Sequence, residues 1–224
     1  MRSVFMIDGA FFARVTRSIF RPLLASHVID FVDAVRDRHD EGFDLLRVYY
    51  YDCPPIDKKV PRPITRKPYN FKTTPQYVAQ INLLSSLRQT NFVAVREGRL
   101  LLNGWVLKDE IAEGRSPLTG TDDDYKPDFE QKGVDMKIGL DIAWVSLSKV
   151  AQRVYLVTGD SDFIPAMKFA RRSGIQVCLF TLGHFVYREL LDHADILVQT
   201  PIKTILNQHV RRHARTRLTH RALP

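Results

Sequence analysis

The stretch VYLVTGDSDF, from Val154 to Phe163, decides the fold. Its first part is short, apolar and β-branched, which is typical of a strand buried on both faces. A glycine then permits a sharp turn, and a helical pattern follows from 165 to 174. Asp160 and Asp162 therefore lie at the carboxyl end of a buried strand, where open α/β sheets bind their ligands.

A second strand ends in the same way. Residues 4–9 read VFMIDG, so four apolar residues lead directly to Asp8 and a glycine. Two strand-end carboxylates far apart in sequence predict convergence on one point, and this favours a metal site. Around Asp160 a second interpretation stays open, because acidic residues at a helix start also stabilise the helix through its dipole.

The rest of the chain alternates between strand-like and helix-like segments. Helices are predicted over 22–39, 74–88 and 186–194, and strands over 44–52, 175–181 and 195–199. Two further strands, 92–95 and 99–107, flank a Glu-Gly pair that is compatible with a hairpin. This order predicts an α/β fold with a mostly parallel central sheet and helices on both faces.

The segment 132–150 contains two further acids. It is apolar almost all round a helical wheel, which predicts a helix packed under other elements. Asp135 lies at its start, whereas Asp141 is about 120° away around the helix. Asp135 is therefore the better ligand, and Asp141 is expected to pair with Lys137.

The net charge of +8 is unevenly distributed. Residues 58–72 and 201–224 each contain six Lys or Arg and no acid, while the remainder is mildly acidic. Two basic segments on an acidic body indicate a polyanionic partner. The candidate phosphate-binding residues are Lys58, Lys59, Arg62, Arg66, Lys67, Arg211, Arg212 and Arg215.

Two proline-containing or polar stretches have no regular pattern. Residues 54–75 hold six of the twelve prolines and predict an extended, irregular insertion. Its Tyr69 and Phe71 are suited either to base stacking or to packing against the body. Residues 112–131 are polar and expected to be mobile, and for that reason the triplet Asp122–Asp124 is not favoured as a metal site.

The compartment is predicted from what the sequence lacks. No apolar run approaches the length of about 18 residues typical of a membrane span. The N-terminal residues carry Asp8 and Arg14 where a signal peptide needs an apolar core. The two cysteines, Cys53 and Cys178, are expected to be reduced core thiols. A cytoplasmic protein that does not bind membranes is expected.

The motifs together resemble a known family. Ile7-Asp8-Gly9, the segment KGVDMKIGLD at 132–141, VTGDSDF at 157–163, and the ending at 188–195 resemble the NYN domain family, in the LabA/DUF88 branch of the PIN-like nucleases. The resemblance covers about residues 1–200, so a nuclease domain over 1–200 and a basic tail over 201–224 are expected. The insertion at about 54–75 and the tail lie outside the shared pattern.

The resemblance implies a PIN-like fold and metal-dependent ribonuclease chemistry. The acids of the family fall on Asp8, Asp135, Asp160 and Asp162, with Asp141 as the second acid of the helix motif. Carboxylate oxygens suit Mg²⁺ or Mn²⁺, which can activate a water for attack on phosphorus. Additional phosphate contacts are expected from Ser161 and Lys132.

Several alternatives accompany this prediction. RNA is the expected partner, with DNA as an alternative, and a homo-oligomer stays open. A PIN-like module that binds RNA or a protein without cutting is the second functional candidate. A haloacid-dehalogenase-type phosphatase is disfavoured because Ala10 stands where its second Asp is needed, and no GxxxxGK[ST] loop supports NTP hydrolysis.

Overall fold

The computed structural model describes residues 1–37 and 44–207. A six-stranded sheet forms its centre, with strands β1 (Arg2–Asp8), β2 (Asp44–Asp52), β5 (Val93–Glu97), β8 (Arg153–Val157), β9 (Gln176–Phe180) and β10 (Ile196–Val198). The strand order is β10-β9-β8-β1-β2-β5, and every pairing is parallel. The expected α/β fold with a parallel sheet is confirmed.

Helices cover both faces of this sheet. They are α1 (Gly9–Thr16), α2 (Ala25–Arg36), α3 (Pro75–Arg88), the short α4 (Asp109–Ala112), α5 (Val134–Ser148), α6 (Ile164–Arg172) and α7 (Arg188–Leu191). Successive side chains of a strand point to opposite faces, so each strand supplies two cores. Phe5 and Ile7 of β1 pack with α1, α2 and α3, while Val4 and Met6 pack with α5 and α6.

Two small antiparallel sheets lie outside the central one. β3 (Lys59–Pro61) pairs with β4 (Pro68–Asn70), and β6 (Arg99–Leu107) pairs with β7 (Tyr125–Lys132). The second pair is here called the β6–β7 ribbon. A hairpin between the strands at 92–95 and 99–107 is therefore wrong: β5 joins β2 in the central sheet, and β6 joins β7.

The two stretches without a sequence pattern are ordered in the structure. The insertion at 54–75 contains β3, β4 and a 3₁₀ turn over Phe71–Thr73. The segment 112–131, expected to be mobile, ends in β7, whose largely polar residues pair with β6. Asp122 accepts hydrogen bonds from the backbone N–H groups of Ile64 and Thr65, at 2.9 and 3.2 Å, so it fastens the insertion.

Helix α5 is not covered on all sides, contrary to the prediction from its wheel. Val134, Ile138, Ile142 and Val145 are buried. Its outward face carries Met136, Leu140, Trp144 and Leu147, whose exposed fractions are 68%, 60%, 50% and 70%. The helix packs on the sheet through one face only, so its remaining apolar residues lie on the surface.

The chain remains packed beyond residue 200. Residues 202–207 are helical, and Ile202 and Ile205 are buried in the core beneath α2 and α3. The candidate phosphate-binding residues Arg211, Arg212 and Arg215 lie outside the described residues. Cys53 and Cys178 are both buried and unpaired, as expected. None of the helices in the described part of the chain is long and apolar enough to cross a bilayer.

A close backbone approach at Gly9 generates a stability prediction. A Cβ at this position would lie 2.7 Å from Asp52 Oδ2 and from the backbone oxygen of Tyr51. Gly9→Ala should therefore lower the free energy of unfolding by about 1–3 kcal/mol, although alanine is the better helix former. Denaturant unfolding followed by circular dichroism measures this change.

Gly139→Ala is the matched control. Gly139 also lies in a helix, but a Cβ there would meet nothing within 4 Å. The free energy of unfolding of this variant should rise by about 0.5–1 kcal/mol, which is the ordinary helix preference for alanine over glycine. Equal effects at both positions would contradict the close packing of Gly9 against Asp52.

Candidate active site

Asp8 lies at the carboxyl end of β1, in the middle of the sheet. One carboxylate oxygen accepts a hydrogen bond from Phe11 N at 3.1 Å, and the other accepts one from Thr158 Oγ1 at 3.3 Å. The carboxylate thus caps α1 and contacts the end of β8. Its position follows from parallel pairing, because Ile7 lies opposite Val157 in the register of β1 with β8.

Asp160 and Asp162 follow β8 and open the segment that leads to α6. Asp160 Oδ1 accepts a hydrogen bond from Asp162 N at 2.9 Å, and Asp160 N donates one to Thr158 Oγ1 at 3.2 Å. Asp160 therefore caps the 3₁₀ turn Ser161–Phe163. Thr158, fully buried, links this loop to Asp8.

Asp135 reaches the same region from α5. Gly133 has a φ of 79°, a left-handed conformation that favours glycine, and turns the chain from β7 into this helix. Asp135 lies in the first helical turn. Its pKa is raised by partial burial and then by the charges of Asp160 and Asp162, so the three carboxylates are electrostatically coupled.

Asp52, at the end of β2, is a site residue that sequence reasoning missed. Its side chain is only 6% exposed. It accepts a hydrogen bond from Cys53 N at 2.7 Å and one from Gln131 at 3.4 Å. The signal was present, since the strand DLLRVYYYD ends in an acid just as β1 does, and β2 lies beside β1.

The pKa of Asp8 is raised by its burial and by the acids near it. Burial raises the pKa from its ordinary value of 3.8 to about 6, and the charges of Asp135 and Asp52 add to the effect. The hydrogen bonds from Phe11 and Thr158 act in the opposite direction. Burial likewise raises the pKa of Asp52. Carboxylates from β1, β2 and α5 therefore interact at one edge of the sheet.

Asp141 points away from this group. It accepts a hydrogen bond from the Tyr51 hydroxyl at 2.9 Å and lies 3.1 Å from Arg96 Nε. The expected pairing with Lys137 is wrong, because the ammonium of Lys137 contacts the backbone oxygen of Glu97 instead. Asp141 joins α5 to β2 and β5, which accounts for its side chain without a ligand role.

The candidate phosphate-binding side chains are dispersed over the surface. Lys132 pairs with Glu130, and Arg62 stacks over Tyr69 at 4.9 Å from the ring centre. Lys58, Lys59, Arg66 and Lys67 are exposed on the insertion. Ser161 is half-buried beside Asp160. The acidic triplet is accounted for by structure, since Asp124 is buried and accepts hydrogen bonds from Thr119 and Thr121.

The donor set suits a hard divalent cation, but the acids are not closed around one point. Within residues 1–37 and 44–207, no three His, Cys, Asp or Glu side chains are placed to hold a metal ion. Carboxylate oxygens are nevertheless the ligands that Mg²⁺ and Mn²⁺ prefer, and neighbouring acids raise the pKa values of Asp8 and Asp135. A bound cation would offset that repulsion.

Comparison with protein families bears on this group of acids. Residues 106–200 match the NYN domain family. The predicted family is thereby confirmed over this range, while the LabA/DUF88 branch stays a prediction. The NYN match contains Asp135, Asp160 and Asp162, whereas Asp8 and Asp52 precede it. The NYN family typically comprises nucleases, which supports that class at the level of the family.

Comparisons of whole chains are less specific. A search of curated proteins finds no significant match. A crystal structure of a protein of unknown function from Vibrio parahaemolyticus is 16% identical with a TM-score of 0.49, covering 88% of this chain and 91% of its own. A structure on the mechanism and regulation of Sir2 enzymes is 9% identical with a TM-score of 0.39, covering 96% and 93%. Such likenesses do not indicate a shared activity.

The pKa of Asp8 generates a prediction about stability and pH. Because the folded-state pKa is above the unfolded value, the folded protein holds the proton more tightly, and ionisation of Asp8 costs stability between about pH 4 and pH 6. Asp8→Asn, which can still accept the hydrogen bond from Phe11 N, removes that cost. In EDTA, the free energy of unfolding of Asp8→Asn should exceed that of wild type by an amount that grows across this window to about 3 kcal/mol and then levels off.

Urea unfolding of both proteins at several pH values from 4 to 7 measures this advantage. Asp30→Asn is the control, because Asp30 is exposed on α2 and should give no such pH-dependent gain. A constant difference between Asp8→Asn and wild type over the whole range would contradict the raised pKa.

Proposed function

We propose that this protein is a metal-dependent ribonuclease that hydrolyses RNA phosphodiester bonds at the acidic edge of its sheet. The observation that carries the proposal is the electrostatic coupling of carboxylates from separate elements. Asp8 of β1 is coupled to Asp135 of α5, and Asp135 is coupled in turn to Asp160 and Asp162. Acids coupled in this way are stabilised most directly by a bound cation.

Asp8, Asp135, Asp160 and Asp162 would hold the ion, Mg²⁺ or Mn²⁺. When bound, it would supply activation of a water and neutralisation of charge on the phosphate. Hydrolysis breaks one phosphorus–oxygen bond and forms another to the oxygen of water, which leaves one phosphate end and one hydroxyl end. Asp52 is buried behind Asp8 and keeps that carboxylate in a negative environment.

Basic residues on the insertion would contact the phosphates that flank the reacting one. Lys58, Lys59, Arg66 and Lys67 are exposed, so their charges are available to a strand. Lys132 precedes α5 and has a side chain 55% exposed, and it is proposed as a further phosphate contact together with Ser161. Backbone contacts of this kind give affinity without sequence preference.

A module that binds RNA without cutting it is the second candidate. The observation that favours it is the absence, within the described ranges, of three side chains already placed around a metal position. The two candidates share the RNA surface and differ in whether Asp135 and Asp162 close on a cation.

A cleavage assay separates these two functions. Purified protein is incubated with end-labelled single-stranded and structured RNA and DNA in Mn²⁺, Mg²⁺ or EDTA. We expect RNA cleavage in Mn²⁺ or Mg²⁺ and none in EDTA. Loss of a residue in the outer shell of a metal site costs about 10- to 100-fold, so Asp135→Asn and Asp160→Asn should lose about 100-fold or more.

Asp141→Asn is the matched control, since it lies in the same helix as Asp135 but contacts Tyr51 and Arg96. It should retain most of the activity. Binding of RNA by wild type without cleavage under any metal would favour the non-cutting module. Full activity in both Asp135→Asn and Asp160→Asn would overturn the assignment of the acids.

A further inference from the structure

A cavity of about 460 Å³ opens beside the acids. It lies between the end of β2, helix α3, the insertion and the β6–β7 ribbon, and its volume is within the range of small-ligand pockets. Asp52 forms part of its wall. Ala10, two residues after Asp8, also lines it, so the cavity adjoins the proposed active site.

Aromatic rings form one side of the cavity. Phe71 and Phe129 both line it, with ring centres 5.5 Å apart, and Tyr69 lies 5.0 Å from Phe71. Phe71 is buried, whereas Phe129 is 41% exposed and presents part of its surface at the opening. Trp105 stands behind them, stacked on Phe71 at 6.1 Å.

This aromatic wall is held in place by polar contacts. Trp105 Nε1 donates a hydrogen bond to the backbone oxygen of Pro61 at 3.0 Å, which ties the ribbon to β3. Asp122 binds the backbone at Ile64 and Thr65 from the other side. These contacts hold the insertion in place as one wall of the cavity.

The cavity also offers hydrogen-bond donors and acceptors. Gln80 and Gln131 line it, and each carries an amide that can both donate and accept. Their neighbour Asp52 is an acceptor when ionised. A flat aromatic surface beside a few hydrogen-bonding groups suits a planar heteroaromatic ring with hydrogen-bonding edges.

Basic residues of the insertion lie next to the aromatic wall of this cavity. The backbone oxygen of Lys58 accepts a hydrogen bond from Phe71 N at 3.0 Å, so Lys58 directly adjoins the aromatic wall. Lys59, next in the chain, is exposed. A ligand that combines a planar ring with a flanking negative charge therefore matches the aromatic interior through its ring and the neighbouring lysines through its charge.

We propose that this cavity binds an unpaired nucleobase of the RNA, next to the phosphate at the acidic site. This rests on the proposed function and defines its substrate class as single-stranded RNA or an unpaired loop. A base in a duplex is stacked and paired, so it would have to leave the helix before it could enter.

Fluorescent RNA in EDTA tests the cavity without cleavage. Short single-stranded RNAs, each with 2-aminopurine at one position, are titrated with the full-length protein. Stacking in the cavity should quench the probe at one position, and that position should adjoin the bond cut in Mn²⁺. Because stacking on an aromatic side chain contributes about 1–3 kcal/mol per base, Phe129→Ala should weaken binding about 5- to 150-fold.

Phe92→Ala is the matched control. Phe92 is 66% exposed, but it precedes β5 at the opposite end of the strands and does not line the cavity. It should leave affinity and quenching unchanged. An RNA that is abasic at the quenched position provides a test on the wild-type protein: it should bind as weakly as the intact RNA binds Phe129→Ala, and the variant should lose nothing further on it.

The outcomes separate the two proposals. Tight binding with no position-specific quenching, or quenching that persists in Phe129→Ala, would overturn the base pocket while leaving metal-dependent cleavage intact. Position-specific quenching without cleavage in any metal would support the pocket and overturn the nuclease. Failure of the wild-type protein to bind single-stranded RNA would overturn both.

Discussion

Parallel pairing of β1 with its two neighbours is the constraint on which the rest of this structure depends. Asp8 lies opposite Tyr51, next to Asp52, and Ile7 lies opposite Val157, shortly before Asp160. The carboxyl ends of three strands, and with them their acids, are thereby placed at one edge. Burial disfavours the ionised form of these carboxylates, as the raised pKa of Asp8 shows. A cation would offset this cost, so the fold and the proposed chemistry depend on the same feature.

The elements that sequence could predict are those with local signals. Buried parallel strands are apolar throughout, and Asp8 and Asp160 each follow such a run, so both the sheet and these two acids were found. Asp52 also ends a strand but was overlooked, because its importance depends on β2 lying beside β1. The strand β7 was missed since its polar residues gain their order only from pairing with β6. Helix α5 was expected to be covered, but hydropathy alone does not show which face meets the sheet.

The insertion is where tertiary contacts altered the interpretation most. Its prolines and charges predicted an irregular segment, and its aromatic residues were suited to stacking or packing. Phe71 is buried against Trp105 and Phe129, so packing is present, while the cavity beside it leaves one aromatic side accessible. The two interpretations are thus compatible: rings that pack together on one side also form the wall of a pocket. Contacts from Asp122 and Trp105, distant in sequence, make this possible.

The central claim is that Asp160 belongs to a cation site and is more than a cap, and thermal unfolding with and without Mn²⁺ tests it most directly. An ion that binds only the folded protein stabilises it by about 2.7 kcal/mol at a hundredfold excess over its Kd. Asp160→Asn removes one repelling charge and one ligand, and asparagine caps nearly as well as aspartate. The variant should therefore melt at or above the wild-type temperature in EDTA and gain less from Mn²⁺. Equal Mn²⁺-induced shifts in the two proteins, or none in either, would contradict the account.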